Sequence, residues 1–201
     1  IWPQHYDAGY QIYQEDDDRI RVEAVYLRGK VDVDSDTSVR FQYLHDAISG
    51  SSPTGALPGG LNPFLAEIED VREGYLAAID HQFGDHRVEF EAAYSTESDY
   101  DSTGLALTDS WDLNQKNTKL VFGINYLTDQ VQVPGIDAQD KTGIDFFTGV
   151  TQIIDKDTVV TVNLTLGNSQ GYLNDPYKAI QRDDSAEFGL PPGSLINMYA
   201  E

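Results

Sequence analysis

The sequence predicts an all-β fold, an antiparallel up-and-down transmembrane β-barrel with about eight strands in view. Three observations predict it. Segments such as 158–169, TVVTVNLTLGNS, alternate with period two, placing Val160, Val162, Leu164 and Leu166 opposite Thr161, Asn163, Thr165 and Gly167. The polar sides carry charge, including Arg28, Lys30, Arg40, Glu89, Glu91 and Lys119, which would be costly to bury unpaired in a sandwich. The segments run to roughly nine to eleven residues, enough to cross a bilayer at a tilt, against about five or six for a soluble strand.

Each element has its own pattern. In 25–33, Val25, Leu27, Gly29, Val31 and Val33 oppose Tyr26, Arg28, Lys30 and Asp32. In 37–46, Val39, Phe41 and Tyr43 oppose Arg40, Gln42 and Leu44. Segment 75–83 sets Tyr75, Ala77, Ile79 and Phe83 against Leu76, Ala78, Asp80 and Gln82. Across a tight Gly-Asp turn, 86–95 sets Val88, Phe90, Ala92 and Tyr94 against Arg87, Glu89, Glu91 and Ala93. The fifth, 103–113, is weaker because Asp109 shares a side with Leu105, Leu107 and Trp111. In 118–128, Leu120, Phe122, Ile124 and Tyr126 oppose Lys119, Val121, Gly123 and Asn125. Segment 143–154 is apolar on both sides, and its facing stays open. Segment 158–169 completes the set. Residues 62–79 can also be read as a helix, since short apolar runs are ambiguous.

The turns DSD, GD, NQKN and DKD are short, whereas the alternate connections are mostly longer and richer in Gly, Pro and Asp (46–70, 129–141 and everything after 170), with only SDYDST short among them. Short turns at one end and long loops at the other are the barrel pattern. Tyr, Phe and Trp near strand ends (Phe41, Tyr43, Tyr75, Phe83, Tyr94, Trp111, Tyr126) suit interfacial girdles.

Composition sets further bounds. The 201 residues carry 34 Asp and Glu against 13 Lys and Arg, a formal charge of −21, which argues against a nucleic-acid partner. There is no cysteine, so disulfides and thiolate metal sites are excluded for this chain. No run approaches the ~20 apolar residues of a transmembrane helix, and the first residues do not read as a signal peptide. An exported protein is then expected in mature or trimmed form. The last residues, GLPPGSLINMYAE, read as a loop that closes no strand. Residues 1–201 are therefore expected to form the N-terminal portion of one barrel domain.

Several stretches carry a resemblance: YQEDDDRI (13–20), LHDAISGSSPTGA (44–56), STESDYDSTG (95–104), WDLNQKNT (111–118), GYLNDPYKAI (171–180) and GLPPGS (189–194). In order and content the chain resembles a family of uncharacterised Gram-negative outer-membrane β-barrels, known only as a domain of unknown function. The resemblance implies an exported protein in the bacterial outer membrane, with the lipid bilayer as its surroundings and a barrel continuing past Glu201. It also implies a link to a small lipoprotein and a flavin-attaching enzyme, hence to an extracytoplasmic redox partner. It supplies no catalytic residues.

Candidate chemistry is sparse. DVDSDT and DYDSTG open like calcium loops, but the twelfth position would be Tyr43 or Ser110 rather than Glu, so solvated turns are expected and no metal site is assigned. A Ser/His hydrolase would have to use His45 and the serines of ISGSS, without a nucleophile elbow. No catalytic site and no cofactor are expected. What remains are the charges Arg28, Lys30, Arg40, Asp80, Glu89, Glu91 and Lys119, expected to face a lumen. Basic and acidic groups there either set up a transverse field or pair across neighbouring strands and stiffen the wall. The expected function is a porin-like or transport-associated barrel with acidic outer loops. The alternative is a structural or docking barrel for the lipoprotein or redox partner.

Overall fold

The computed structural model describes residues 3–16, 20–53, 65–132, 137–173, 179–181 and 184–197. Nine strands form one antiparallel sheet in sequence order. They are β1 (Gln4–Gln14), β2 (Ile20–Asp32), β3 (Thr37–Pro53), β4 (Leu65–Phe83), β5 (His86–Thr96), β6 (Tyr100–Leu113), β7 (Thr118–Val131), β8 (Gln139–Asp155) and β9 (Thr158–Gly171). A separate two-stranded ladder joins β10 (Ala179–Gln181) to β11 (Leu195–Asn197). The expected fold class is what the chain adopts, with no sheet stacked on the first among the described residues.

Register fixes which residues share a side. Leu107 lies opposite Phe90 and Ile124, Phe90 opposite Ile79, and Ile124 opposite Phe146, which faces Leu166. This row and its neighbours make a continuous apolar face, and none of the described residues covers it. Phe90 is 47%, Phe122 42% and Val162 60% exposed, and among the described residues the buried hydrophobics are only Ala24, Ala78 and Val131. At one end of this face Tyr43 and Tyr75 meet at 5.3 Å between ring centroids. At the other, His86 stacks on Trp111 at 4.7 Å and His81 packs edge-on to Phe83 at 4.3 Å. About eight residues separate the two bands along β5, so at about 3.4 Å per residue and a tilt of about 40° they stand roughly 21 Å apart along the barrel axis. Asp109, the misfit of the fifth segment, lies beside the second band with His86 Nδ1 2.9 Å from its carboxylate.

Several expectations need correction. β1 was not anticipated, although Tyr6, Ala8, Tyr10 and Ile12 alternate with His5, Asp7, Gly9 and Gln11. β3 and β4 run 17 and 19 residues, so much of what reads as the 46–70 connection is strand. The helix reading of 62–79 fails: 65–79 belong to β4, and 62–64 lie outside the described residues. Its upper half extends past the apolar band, where neither side needs to be apolar and alternation fades. β8 is decided by pairing, with Phe146 opposite Ile124 on the apolar face and Phe147 opposite Gly123 on the polar one. The last residues do close a strand, since Leu195–Asn197 pairs with Ala179–Gln181.

The short turns follow local chemistry. At the Gly84–Asp85 turn only Gly84 has a positive φ, 62°, the arrangement of a type II′ hairpin. In the β2–β3 turn the Asp34 carboxylate accepts from the N–H groups of Asp36 (2.8 Å) and Thr37 (2.7 Å) and from the Thr37 hydroxyl (3.0 Å). The carboxylate is committed to its own turn, which gives the solvated-turn reading of DVDSDT a concrete form.

The bond from the Asp36 N–H, then that from Thr37, holds Asp34 below the ordinary carboxylate pKa. A depressed folded pKa contributes stability that is complete above the unfolded value of about 3.9. That contribution is lost as pH falls through the folded value. Comparing wild type with Asp34→Asn by hydrogen exchange at the Asp36 and Thr37 amides should show a turn that opens in acid only in the wild type.

Candidate functional site

The opposite face carries the charged residues, and its rows are built by the same register. Arg40 lies opposite Ala78, Ala78 opposite Glu91, and the row continues through Ala106, Asn125 and Asp145. Ala78 is small, so Arg40 on β3 reaches over it to β5, with Nη2 2.6 Å from Glu89 and 3.7 Å from Glu91. One row nearer the short turns, Asp80 accepts from Arg87 and from the Ser38 hydroxyl. Lys119 lies 3.5 Å from Asp112, and Lys30 3.7 Å from Asp32. Arg28 has no ion pair among the described residues and leans on the Tyr26 ring at 5.6 Å. By register Arg28, Lys30, Arg40, Asp80, Glu89, Glu91 and Lys119 lie on one side of the sheet. Of the two arrangements open for these charges, a transverse field or pairing, Arg40 pairs with Glu89 and Glu91, though across an intervening strand.

A second tier lies toward the longer connections. Arg72 grips Asp46 with two bonds, Nε at 3.1 Å and Nη2 at 2.6 Å, and its Nε is 4.0 Å from Glu97. Burial raises the pKa of the Glu97 carboxyl, against the pull of Arg72. Lys141 lies 3.3 Å from Asp129 and donates to the Tyr100 hydroxyl at 3.2 Å, while Ser102 donates to Asp129 at 2.6 Å. The sequence reading missed Arg72 and Lys141 because both lie where it ended or interrupted strands. No period-two signal marks them, because alternation fades there.

These pairs share a geometry. In each, the carboxylate lies closer to the sheet and the cation stands further out: Arg87 is 44% exposed above Asp80 at 5%, and Arg72 44% above Asp46 at 17%. The shorter side chain hugs the backbone and the longer one bridges from above, so an acidic chain offers its cations to whatever fills this face.

Between the tiers runs a patch of different chemistry. Leu44, Leu76, Ala93 and Leu127 surround a hollow of about 260 Å³ floored by Gly74 and Gly104, with Gln42 and Arg72 at its edge. A Cβ on Gly104 would come 3.2 Å from Leu127 Cδ2, so Leu127 leans into space that glycine leaves.

Other candidates separate. His45 and Ser49 are four residues apart on one strand side, about 13 Å at strand spacing, beyond catalytic reach. The nearest acid to His45 is Glu73 at 3.9 Å. Asp70, Glu97 and Asp99 bring carboxylate oxygens within 4.8 Å of one another. Three donors fall short of the six to eight that calcium takes. Asn163 is on the polar face, as expected.

The sequence matches the family described as "Protein of unknown function (DUF3570)" over residues 2–64, 60–137 and 132–187. The chain is a member of that family. No curated protein matches it. The fold is similar to OmpT, an outer membrane protein of Vibrio cholerae. Against a loop L8 deletion mutant of that protein the TM-score is 0.59 at 16% identity, covering 83% of this chain and 54% of the other. Against outer-membrane expressed OmpT it is 0.51 at 12% identity, covering 92% and 59%. The chain thus spans somewhat more than half the length of these structures, and the likeness is one of fold.

The pairs differ in what depends on each cation. Arg87→Gln should destabilise by about 2 kcal/mol, because Asp80 is buried and keeps only Ser38. Arg40→Gln should cost under about 1 kcal/mol, since its partners are partly exposed. Urea unfolding of detergent-refolded variants would rank them.

Proposed function

We propose that this chain forms the N-terminal part of a porin-like outer-membrane barrel whose polar face lines a water-filled lumen and whose apolar face meets lipid. One observation carries the reading: the described residues leave the apolar face bare while most of the cations opposite it are paired. In water the bare face would drive aggregation; in hydrocarbon it needs no cover. The aromatic bands lie at a spacing that suits the two interfaces of a bilayer.

Closure follows from strand direction. β1 and β9 are both odd-numbered in an antiparallel sheet, so they run the same way, and joining them directly would need a parallel seam. A second copy inserted in the same orientation offers the same two edges and meets the same obstacle. An odd number of further strands removes it. Nine strands over 54% of a related length scale to about sixteen in all, an even count as bacterial barrels have. The reading assigns the chain no chemistry of its own, and Arg28, Lys30, Arg40, Asp80, Glu89, Glu91 and Lys119 become wall residues that grade solutes by charge.

Two measurements test it. The complete protein in planar bilayers should conduct, and Arg40→Glu together with Lys119→Glu should shift its reversal potential toward cation preference; an ion-tight barrel would overturn the channel. Leu164→Arg should cost about 2–4 kcal/mol of stability in lipid, whereas Thr165→Arg, on the other side of the same strand, should cost little.

A further inference from the structure

We propose that the leucine-lined hollow is a binding subsite for a small amphipathic anion, its apolar body against Leu44, Leu76 and Leu127 and its carboxylate on Arg72. The inference rests on the polar face being open to water, as in the channel reading.

The first ground is that the hollow is out of character with its surroundings. Ion pairs lie above and below it, yet Leu76, Ala93, Gly104 and Leu127 are consecutive partners across four strands. A wall that only conducted water and ions would gain nothing from apolar side chains there. Pockets that hold small molecules are mostly apolar with a few placed polar groups, and run to about 300–1,000 Å³. At about 260 Å³ this one suits a smaller ligand.

The second ground is the state of Arg72. Its Nε and Nη2 are both turned to Asp46, and Glu97 lies off the same Nε. No protein group among the described residues bonds Nη1. One edge of the fork is therefore spent on holding the side chain in place, and the other is left for a planar acceptor. Guanidinium binds carboxylates in this bidentate way. Asp46 thus acts as a brace.

The third ground is the placement of the cation. Arg72 is the one charged residue among those that line the hollow, and it stands outside its carboxylate partner. Arg40 and Lys141 stand outside theirs in the flanking tiers.

The test uses the complete protein in nanodiscs of zwitterionic lipid, so that no anionic headgroup competes. Binding of 1-naphthoate is followed by its fluorescence polarisation and compared with neutral 1-naphthylmethanol and cationic 1-naphthylmethylammonium. The expected result is saturable binding with naphthoate at least tenfold tighter than either analogue. Arg72→Gln should erase that preference while leaving the neutral analogue unchanged. Gly74→Val fills the floor without touching an ion pair, and should abolish binding of all three. Absence of saturable naphthoate binding, equal binding of the three probes, or a preference that survives Arg72→Gln would each overturn the proposal. Conductance separates it from the reading beneath: a conducting barrel that ignores naphthoate sinks the subsite alone, and a sealed barrel that binds it sinks the channel alone.

Discussion

A sheet with one uncovered apolar face is the constraint on which the rest of this molecule depends. The ladder satisfies the backbone groups between strands, so the sheet needs no second layer to complete its hydrogen bonds. It does need a medium for Phe90, Ile124, Phe146 and Leu166. Among the described residues only two alanines and one valine are buried hydrophobics, so packing within the chain does not provide that medium. The surroundings must, and a bilayer is the surrounding that leaves the opposite face free for charge.

That opposite face shows how charge is accommodated on a sheet. Arg40 reaches its acids over Ala78, and Leu127 leans over Gly104. The small Ala78 is thus what permits Arg40 to contact a strand that is not its neighbour. The pairs neutralise most of the local charge, and because the basic side chains are the longer ones, the outermost layer differs in sign from the composition. A net charge of −21 is a poor guide to what a solute at this surface would meet.

Much of the architecture was legible because a two-sided strand writes its environment into alternate residues. Where both environments apply, as in β5 and β7, facing could be read directly. Legibility failed where the environment stopped being two-sided. The upper parts of β3 and β4 pass beyond the apolar band, so Asp46 reads as the end of one segment and Arg72 falls before the next, which starts at Tyr75. β8 carries Phe146 and Phe147 side by side, and no single-strand pattern says which points where. Asp109 reads as an error until His86, a residue of the next strand over, is placed beside it.

By itself the sequence determined the fold class, the alternation of faces and the short-turn end, since these depend on period-two chemistry and turn residues within a few positions of one another. Only the tertiary structure decided the partners: Arg40 with Glu89, Arg72 with Asp46, Lys141 with Asp129, and the leucines that close around Gly74. The physical reason is register. A strand's own residues specify which side is oily, but which residue lies opposite which depends on turn geometry and on the neighbouring strand. A side chain long enough to cross a strand selects its partner only once both have been placed.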